Sequence, residues 1–168
     1  GNGLSLIEMS HRSKPFVAIM EEARQLVRTE LSLPDHYEVL FLQGGASLGF
    51  LTAAMNFLPE GGSMDYAVTG TWAKKALKEA KRIGGAQALT SSEETGFDRI
   101  PALPSSSAAD FVHITTNNTI YGTRFSSMPA ADCPRIADMS SEMFSRPFDF
   151  TGHDMIYAGA QKNLAPAG

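Results

Sequence analysis

The sequence has little cysteine and no long apolar run, and each absence narrows what the chain can be. Cys133 is the only cysteine in 168 residues, so no internal disulfide can form and a reducing cytosol is the expected setting. No stretch approaches the roughly 20 consecutive apolar residues that span a bilayer, so no membrane role is expected. Positive charge is not in excess. Lys and Arg number 14 against 18 Asp and Glu, a net charge of −4, and nucleic-acid binders usually carry a basic footprint. There is no initiator Met, and Gly1-Asn2-Gly3 offers neither a basic start nor an apolar signal core. The chain ends on Ala165-Pro166-Ala167-Gly168, directly after a motif-like stretch. Both ends look cut, so a fragment is expected, with no internal domain boundary. Solenoid-length repeats, the P-loop and the GxGxxG dinucleotide fingerprint are all missing.

What is present suits a packed globular domain: hydrophobic residues make up 43% and charged residues 19%. A long helix is predicted from about Ser13 to Leu31. Phe16, Ile19, Met20, Ala23, Leu26 and Val27 recur at three and four, with Ser13 as N-cap and Pro15 in the first turn. Tyr37–Gln43 (YEVLFLQ) reads as a buried strand, then a helix over Leu48–Phe57, a strand over Asp65–Thr69, a helix over Trp72–Ile83 and a strand over Ala86–Leu89. Ser91–Ser107 reads as an exposed loop. Strands follow at Phe111–Thr115, Arg135–Met139 and Met155–Ala158. Alternating strands and helices predict an α/β domain, three layers around a mostly parallel sheet.

Several places have the residue types for chemistry. Gln43-Gly44-Gly45-Ala46-Ser47 joins a strand to a helix. Glycines let backbone approach a ligand, and the first helical amides are unpaired donors carrying the positive end of the dipole, so a phosphate would bind there. A plain tight turn is the alternative. Trp72, the only tryptophan, follows a strand and either stacks on a planar ligand or packs into the core. Thr115–Gly122 is polar and suits either a site rim or Asx turns. Asp138 ends an apolar strand, where a carboxylate is costly unless paired; a protonated ring nitrogen or the nearby Ser140 or Ser141 would do. Lys162 follows the small residues Ala158, Gly159 and Ala160, which leave room for a bulky group. A desolvated lysine there is a usable nucleophile toward an aldehyde, whereas a lone lysine after a strand is ordinarily solvated. Arg12, beside His11, suits an anionic group or stands solvated before the helix. The histidines have no metal-ligand spacing, and no metal is assigned.

Six segments in order resemble the phosphoserine aminotransferase family of class V pyridoxal-phosphate enzymes. They are EMSHRS (Glu8–Ser13), LFLQGGAS (Leu40–Ser47), VTGTWAKKA (Val68–Ala76), HITTNNTIYG (His113–Gly122), ADMSSE (Ala137–Glu142) and YAGAQKNLAPAG (Tyr157–Gly168). The resemblance implies the large-domain fold of aspartate aminotransferase and pyridoxal 5'-phosphate as cofactor. It implies Lys162 as the Schiff-base lysine and general base, Asp138 facing the pyridinium nitrogen, and Trp72 stacked on the ring. Ala46, Ser47, Thr119 and Gln161 would complete the cofactor contacts, and Arg12 with His11 would bind the anionic substrate. The implied reaction moves an amino group between L-glutamate and 3-phosphohydroxypyruvate, in serine and vitamin B6 synthesis. The implied assembly is a cytoplasmic homodimer with shared active sites. The family chain is about twice as long, so a small C-terminal domain and a short N-terminal segment are expected to lie outside these residues.

Two other readings compete. One is a cysteine desulfurase or another class V enzyme; Cys133, followed by Pro134, is a poor place for a mobile nucleophile. The other is a non-catalytic α/β ligand-binding module, against which the missing glycine fingerprints count.

Overall fold

The computed structural model describes residues 3–104, 107–127 and 132–166. Residues 105 and 106 of the expected Ser91–Ser107 loop, Gly1-Asn2, and the last two residues of the Tyr157–Gly168 motif lie outside the described residues. The chain forms two compact units, one of Gly1–Phe41 with Phe148–Thr151, the other of Leu42–Pro147 with Gly152–Gly168.

In the first unit, helix α1 runs Lys14–Glu30, within a residue of expectation at each end. Ser13 stands at the N-cap in extended conformation and Pro15 falls in the first turn, but the Ser13 side chain makes no capping bond. Phe16, Met20, Ala23 and Val27 are half-buried, while Ile19 and Leu26 of the same expected stripe are exposed. The turn after α1 is fastened by Arg28, whose guanidinium donates to the carbonyls of Tyr37, Pro34 and Asp35.

The strand expected over Tyr37–Gln43 does not form. Leu40 and Leu42 are 68% and 73% exposed, and the segment joins no sheet among the described residues. Its β-branched and apolar content suits a strand, but a strand exists only where a neighbour takes up its ladder of N–H and C=O groups. All five positions of the main sheet are filled by later segments.

That sheet belongs to the second unit and is built from β1 (Ser63–Val68), β2 (Gly85–Ser91), β3 (Phe111–Thr115), β6 (Arg135–Asp138) and β7 (Met155–Tyr157). Every pairing is parallel, in the order β2-β1-β3-β6-β7. Two short strands, β4 (Asn117–Asn118) and β5 (Thr123–Arg124), pair antiparallel in the loop after β3. The α/β class with a mostly parallel sheet is therefore observed. Helix α2 (Gly45–Phe57) starts three residues earlier than expected, and α3 (Thr71–Ala80) stops three residues short.

Alternation along each strand builds the core. Met64, Tyr66 and Val68 of β1 pack with Phe111 and Ile136, and against Phe50, Ala53 and Ala54 of α2 and Ala76, Leu77 and Ala80 of α3. The small residues of α2 and α3 let the two helices lie close to each other and α3 close to the sheet. Each large apolar side chain buried here contributes about 1.5–3 kcal/mol. The alternate residues Ala67, Val112, Ile114 and Ala137 are buried as well, so the strands read as nearly continuous apolar runs, as parallel sheets require.

Sheet topology fixes where a ligand can sit. From β1 the chain crosses to β2 on one side, then returns to place β3 on the other side of β1. Loops leaving the carboxyl ends of β1 and β3 diverge and open a crevice between them, the usual ligand position in such sheets.

Candidate active site

A cleft of about 170 Å³ occupies that crevice, roughly ten times the space one water needs. Gly44, Gly45, Ala46 and Ser47 form one wall. Gly44 caps α2 at φ 94° and Gly45 follows at φ 59°, left-handed conformations that favour glycine. The first intrahelical bond runs from Leu48 N to Gly44 O, so the amides of Gly45, Ala46 and Ser47 have no helical partner. With the dipole behind them and the Ser47 hydroxyl beside them, they form an anion-binding end.

Trp72, the second residue of α3, lines the cleft from the β1 side. Its entry turn is tied to the loop after β3: Thr69 and Asn118 are hydrogen-bonded, and the hydroxyls of Thr71 and Tyr121 are 2.8 Å apart. Gly70 is required at that crossing, because a Cβ there would lie 2.7 Å from Asn118 Oδ1.

The opposite wall is Asp138, at the carboxyl end of β6 and 4% exposed. Burial raises its pKa above the usual carboxylate value; the Ser140 hydrogen bonds and the charge of Lys162 pull the other way. The Ser140 amide and hydroxyl both donate to Oδ1, at 3.0 and 2.6 Å, and Oδ2 accepts no hydrogen bond among the described residues. Both sequence-level readings of Asp138 therefore have a counterpart, a local serine bond and a carboxylate oxygen free for a ligand.

Lys162 completes the cleft, its Nζ 4.9 Å from the centroid of the Trp72 ring. It is exposed, so the dry setting expected for it is not supplied by the described residues. The segment that carries it lies beside α2: a Cβ built on Gly159 would come 3.6 Å from Ala46 Cβ.

The geometry thus gathers Ala46, Ser47, Trp72, Asp138, Gln161 and Lys162, six of the residues picked out in the sequence. Thr119 does not line the cleft. It is exposed in the turn after β4, and Thr115 and Asn117 line the cleft from that strand-loop junction. His11 and Arg12 belong to the first unit and are exposed. Sequence reasoning missed Phe50, which also lines the cleft. It placed Ser140 and Ser141 only as partners for Asp138, although both reach the cleft and Ser141 is locked to Asn117 through the side-chain amide and hydroxyl. The available signal was position alone, since they directly follow a strand end. Among the described residues no group of His, Cys, Asp and Glu is placed to hold a metal ion, and no helix is long and apolar enough to cross a membrane.

An open helix N-terminus, a buried acid, an indole and an amine around one cleft at a sheet switch point accord with a family assignment. The chain belongs to the class V aminotransferases, whose family model matches residues 1–168. It is 50% identical over its whole length to a phosphoserine aminotransferase from Bacillus cereus, and 52% identical over 99% of its length to one from Flavobacterium psychrophilum. It covers 48% of each of those proteins, about half their length. A solved phosphoserine aminotransferase, studied for radiation damage to its Schiff base, superposes with a TM-score of 0.93 at 44% identity. That match covers 99% of this chain and 48% of the solved one.

Proposed function

We propose that the protein carrying these residues is a pyridoxal-phosphate-dependent phosphoserine transaminase, exchanging an amino group between L-glutamate and 3-phosphohydroxypyruvate. One observation carries the reading: Lys162 and Asp138 line the same cleft as the open amino end of α2, with the Trp72 ring beside them. The residues fit the cofactor. A phosphate suits the amides of Gly45, Ala46 and Ser47 and the Ser47 hydroxyl. Asp138 is buried but borders the cleft, and its Oδ2, which accepts no hydrogen bond among the described residues, would pair with a protonated pyridine nitrogen. When bound, pyridoxal phosphate supplies an aldehyde carbon that bonds amines and a ring that withdraws electrons from them.

The chain's own residues then divide the work. Asp138 keeps the proton on the ring nitrogen. Trp72 holds the ring plane. The α2 amides anchor the phosphate, and Gln161 adds a polar contact at the cleft edge. Lys162 would supply the amine that holds the group, and the same amine, when free, would serve as the base that takes the proton from the substrate Cα. Arg12, with His11, is assigned to the anionic substrate, because guanidinium matches a carboxylate or phosphate through paired bonds. The setting proposed is a cytoplasmic homodimer with shared sites, acting in serine and possibly vitamin B6 synthesis; the resemblance of the six sequence segments to the family supports it.

The complete gene product should turn yellow with pyridoxal phosphate, absorbing near roughly 410 nm. Lys162→Ala should remove that band and lower transamination by about 10³-fold or more. A colourless wild type, or a Lys162→Ala variant with substantial turnover in the absence of added amine, refutes the reading.

A further inference from the structure

We propose that Ser140 is a positioning residue whose hydroxyl, set between the Asp138 carboxylate and the Gly159 amide, holds the acid of β6 and the lysine-bearing segment in one geometry. The proposal rests on the function read above. Ser140 Oγ donates to Asp138 Oδ1 at 2.6 Å and accepts from Gly159 N at 2.9 Å. A hydroxyl has one proton and two lone pairs. With its proton given to Oδ1, its acceptor side faces the amide, so each bond orients it for the other. Ser140 is 5% exposed, and water does not compete for these bonds.

Two consequences follow. Oδ1 holds both Ser140 donors, so the carboxylate cannot turn about its Cβ–Cγ bond without breaking them, and Oδ2 stays the oxygen offered to the cleft. Gly159 opens the turn that carries Lys162: Lys162 N reaches Gly159 O at 3.4 Å and Ala165 N reaches Ala160 O at 2.8 Å. Pinning the Gly159 amide to a residue beside Asp138 sets the position from which the lysine side chain starts. The strand register cannot do this alone, since β7 ends at Tyr157, two residues before Gly159. An alanine at 140 keeps the backbone bond to Oδ1 but leaves the buried Gly159 N–H without its acceptor.

The test uses the complete gene product as wild type, Ser140→Ala, Ser140→Thr, Asp138→Asn and the Ser140→Ala/Asp138→Asn double variant. Without cofactor, amide exchange at Gly159 should rise about tenfold or more in Ser140→Ala and return toward wild type in Ser140→Thr, which keeps a hydroxyl. With pyridoxal phosphate, the single-turnover rate with glutamate should fall about 10–100-fold in Ser140→Ala, but less than about fivefold when the same change is made in Asp138→Asn, because coupled residues are not additive. The circular dichroism of the cofactor band should change in Ser140→Ala, while the melting temperature falls only by the few degrees that one unpaired buried N–H costs. Unchanged Gly159 exchange, or equal rate losses in both backgrounds, overturns the proposal. A wild type that takes up no cofactor overturns the transaminase reading, and the exchange comparison still decides the hydroxyl bridge. Should Ser140→Ala not fold, Ser140→Cys, with a weak donor and acceptor, carries the same expectations at smaller size.

Discussion

His113 offers a quantitative test of how this core is held. It lies on β3, 1% exposed, its ring stacked on Tyr66 with centroids 4.8 Å apart and its Nε2 2.8 Å from the Tyr157 hydroxyl. Burial pushes its pKa down from 6.5 to about 3. The folded protein therefore keeps the imidazole neutral where the unfolded chain protonates it. A depressed folded pKa means that this contribution is fully present above the unfolded value of 6.5 and is lost as pH falls toward 3. Each unit in that window lowers stability by about 1.4 kcal/mol. Going from pH 7 to about 4.5 crosses about two units, so the loss is about 3 kcal/mol. His113→Gln keeps a polar partner for Tyr157 but does not titrate. Urea unfolding of both proteins from about pH 7 to about 4.5 gives the difference in stability at each pH, in which the carboxylates common to both cancel. The difference should shift by about 2–3 kcal/mol in favour of the variant on acidification. A difference constant to within about 0.5 kcal/mol, or one moving toward wild type, refutes the claim that folding holds this ring neutral.

Local patterns carried most of the second unit. Phe111–Thr115 was legible to the residue because Phe111, Val112, Ile114 and Thr115 are strand-favouring residues in a five-residue segment buried along its whole length. The start of α2 was read too late because Gly45 is a poor helix former and Ser47 a middling one, which masks the favourable Ala46 between them; the helix begins there because Gly44 adopts a left-handed turn, which sequence allows but does not require. Tyr37–Gln43 shows the opposite error. Its composition favours a strand, yet pairing is a property of the neighbour, and no pattern within seven residues reports whether a neighbour exists. The same division runs through the site. Ala46, Ser47 and Trp72 stand at helix starts and Asp138 at a strand end, positions that sequence locates; Gln161 and Lys162 lie in the turn after β7, and the resemblance named the roles of all six. Phe50 looked like any core residue of α2. The second bond of Ser140, to an amide 19 positions away, depends on two segments meeting, and nothing local to either announces it.

Two further substitutions probe the cleft and the helix behind it. Trp72→Ala should weaken pyridoxal phosphate binding about 2–10-fold, the loss of a stacking contact of about 0.5–1.5 kcal/mol, with Trp72→Phe recovering most of it; an unchanged Kd by fluorescence titration would mean that the indole does not lie over the cofactor. Gly49→Ala sets two effects against each other. Inside α2, alanine is favoured over glycine by up to about 1 kcal/mol. A Cβ at this position, however, would sit 2.7 Å from Tyr157 Cδ2 and 3.0 Å from Cε2. The ring has little freedom to yield, because its hydroxyl is bonded to His113, its edge meets Phe50 at a centroid distance of 6.1 Å, and its backbone is in register with Asp138. Overpacking of this kind costs about 1–3 kcal/mol, so the clash should outweigh the helix preference and give net destabilisation. Adding Tyr157→Leu, which narrows the obstructing ring, should recover part of the loss in the double variant. A Gly49→Ala protein as stable as wild type by urea unfolding would show that α2 and β7 are not pressed together in this way, and the placement of the α2 amides opposite Asp138 would lose its support from packing.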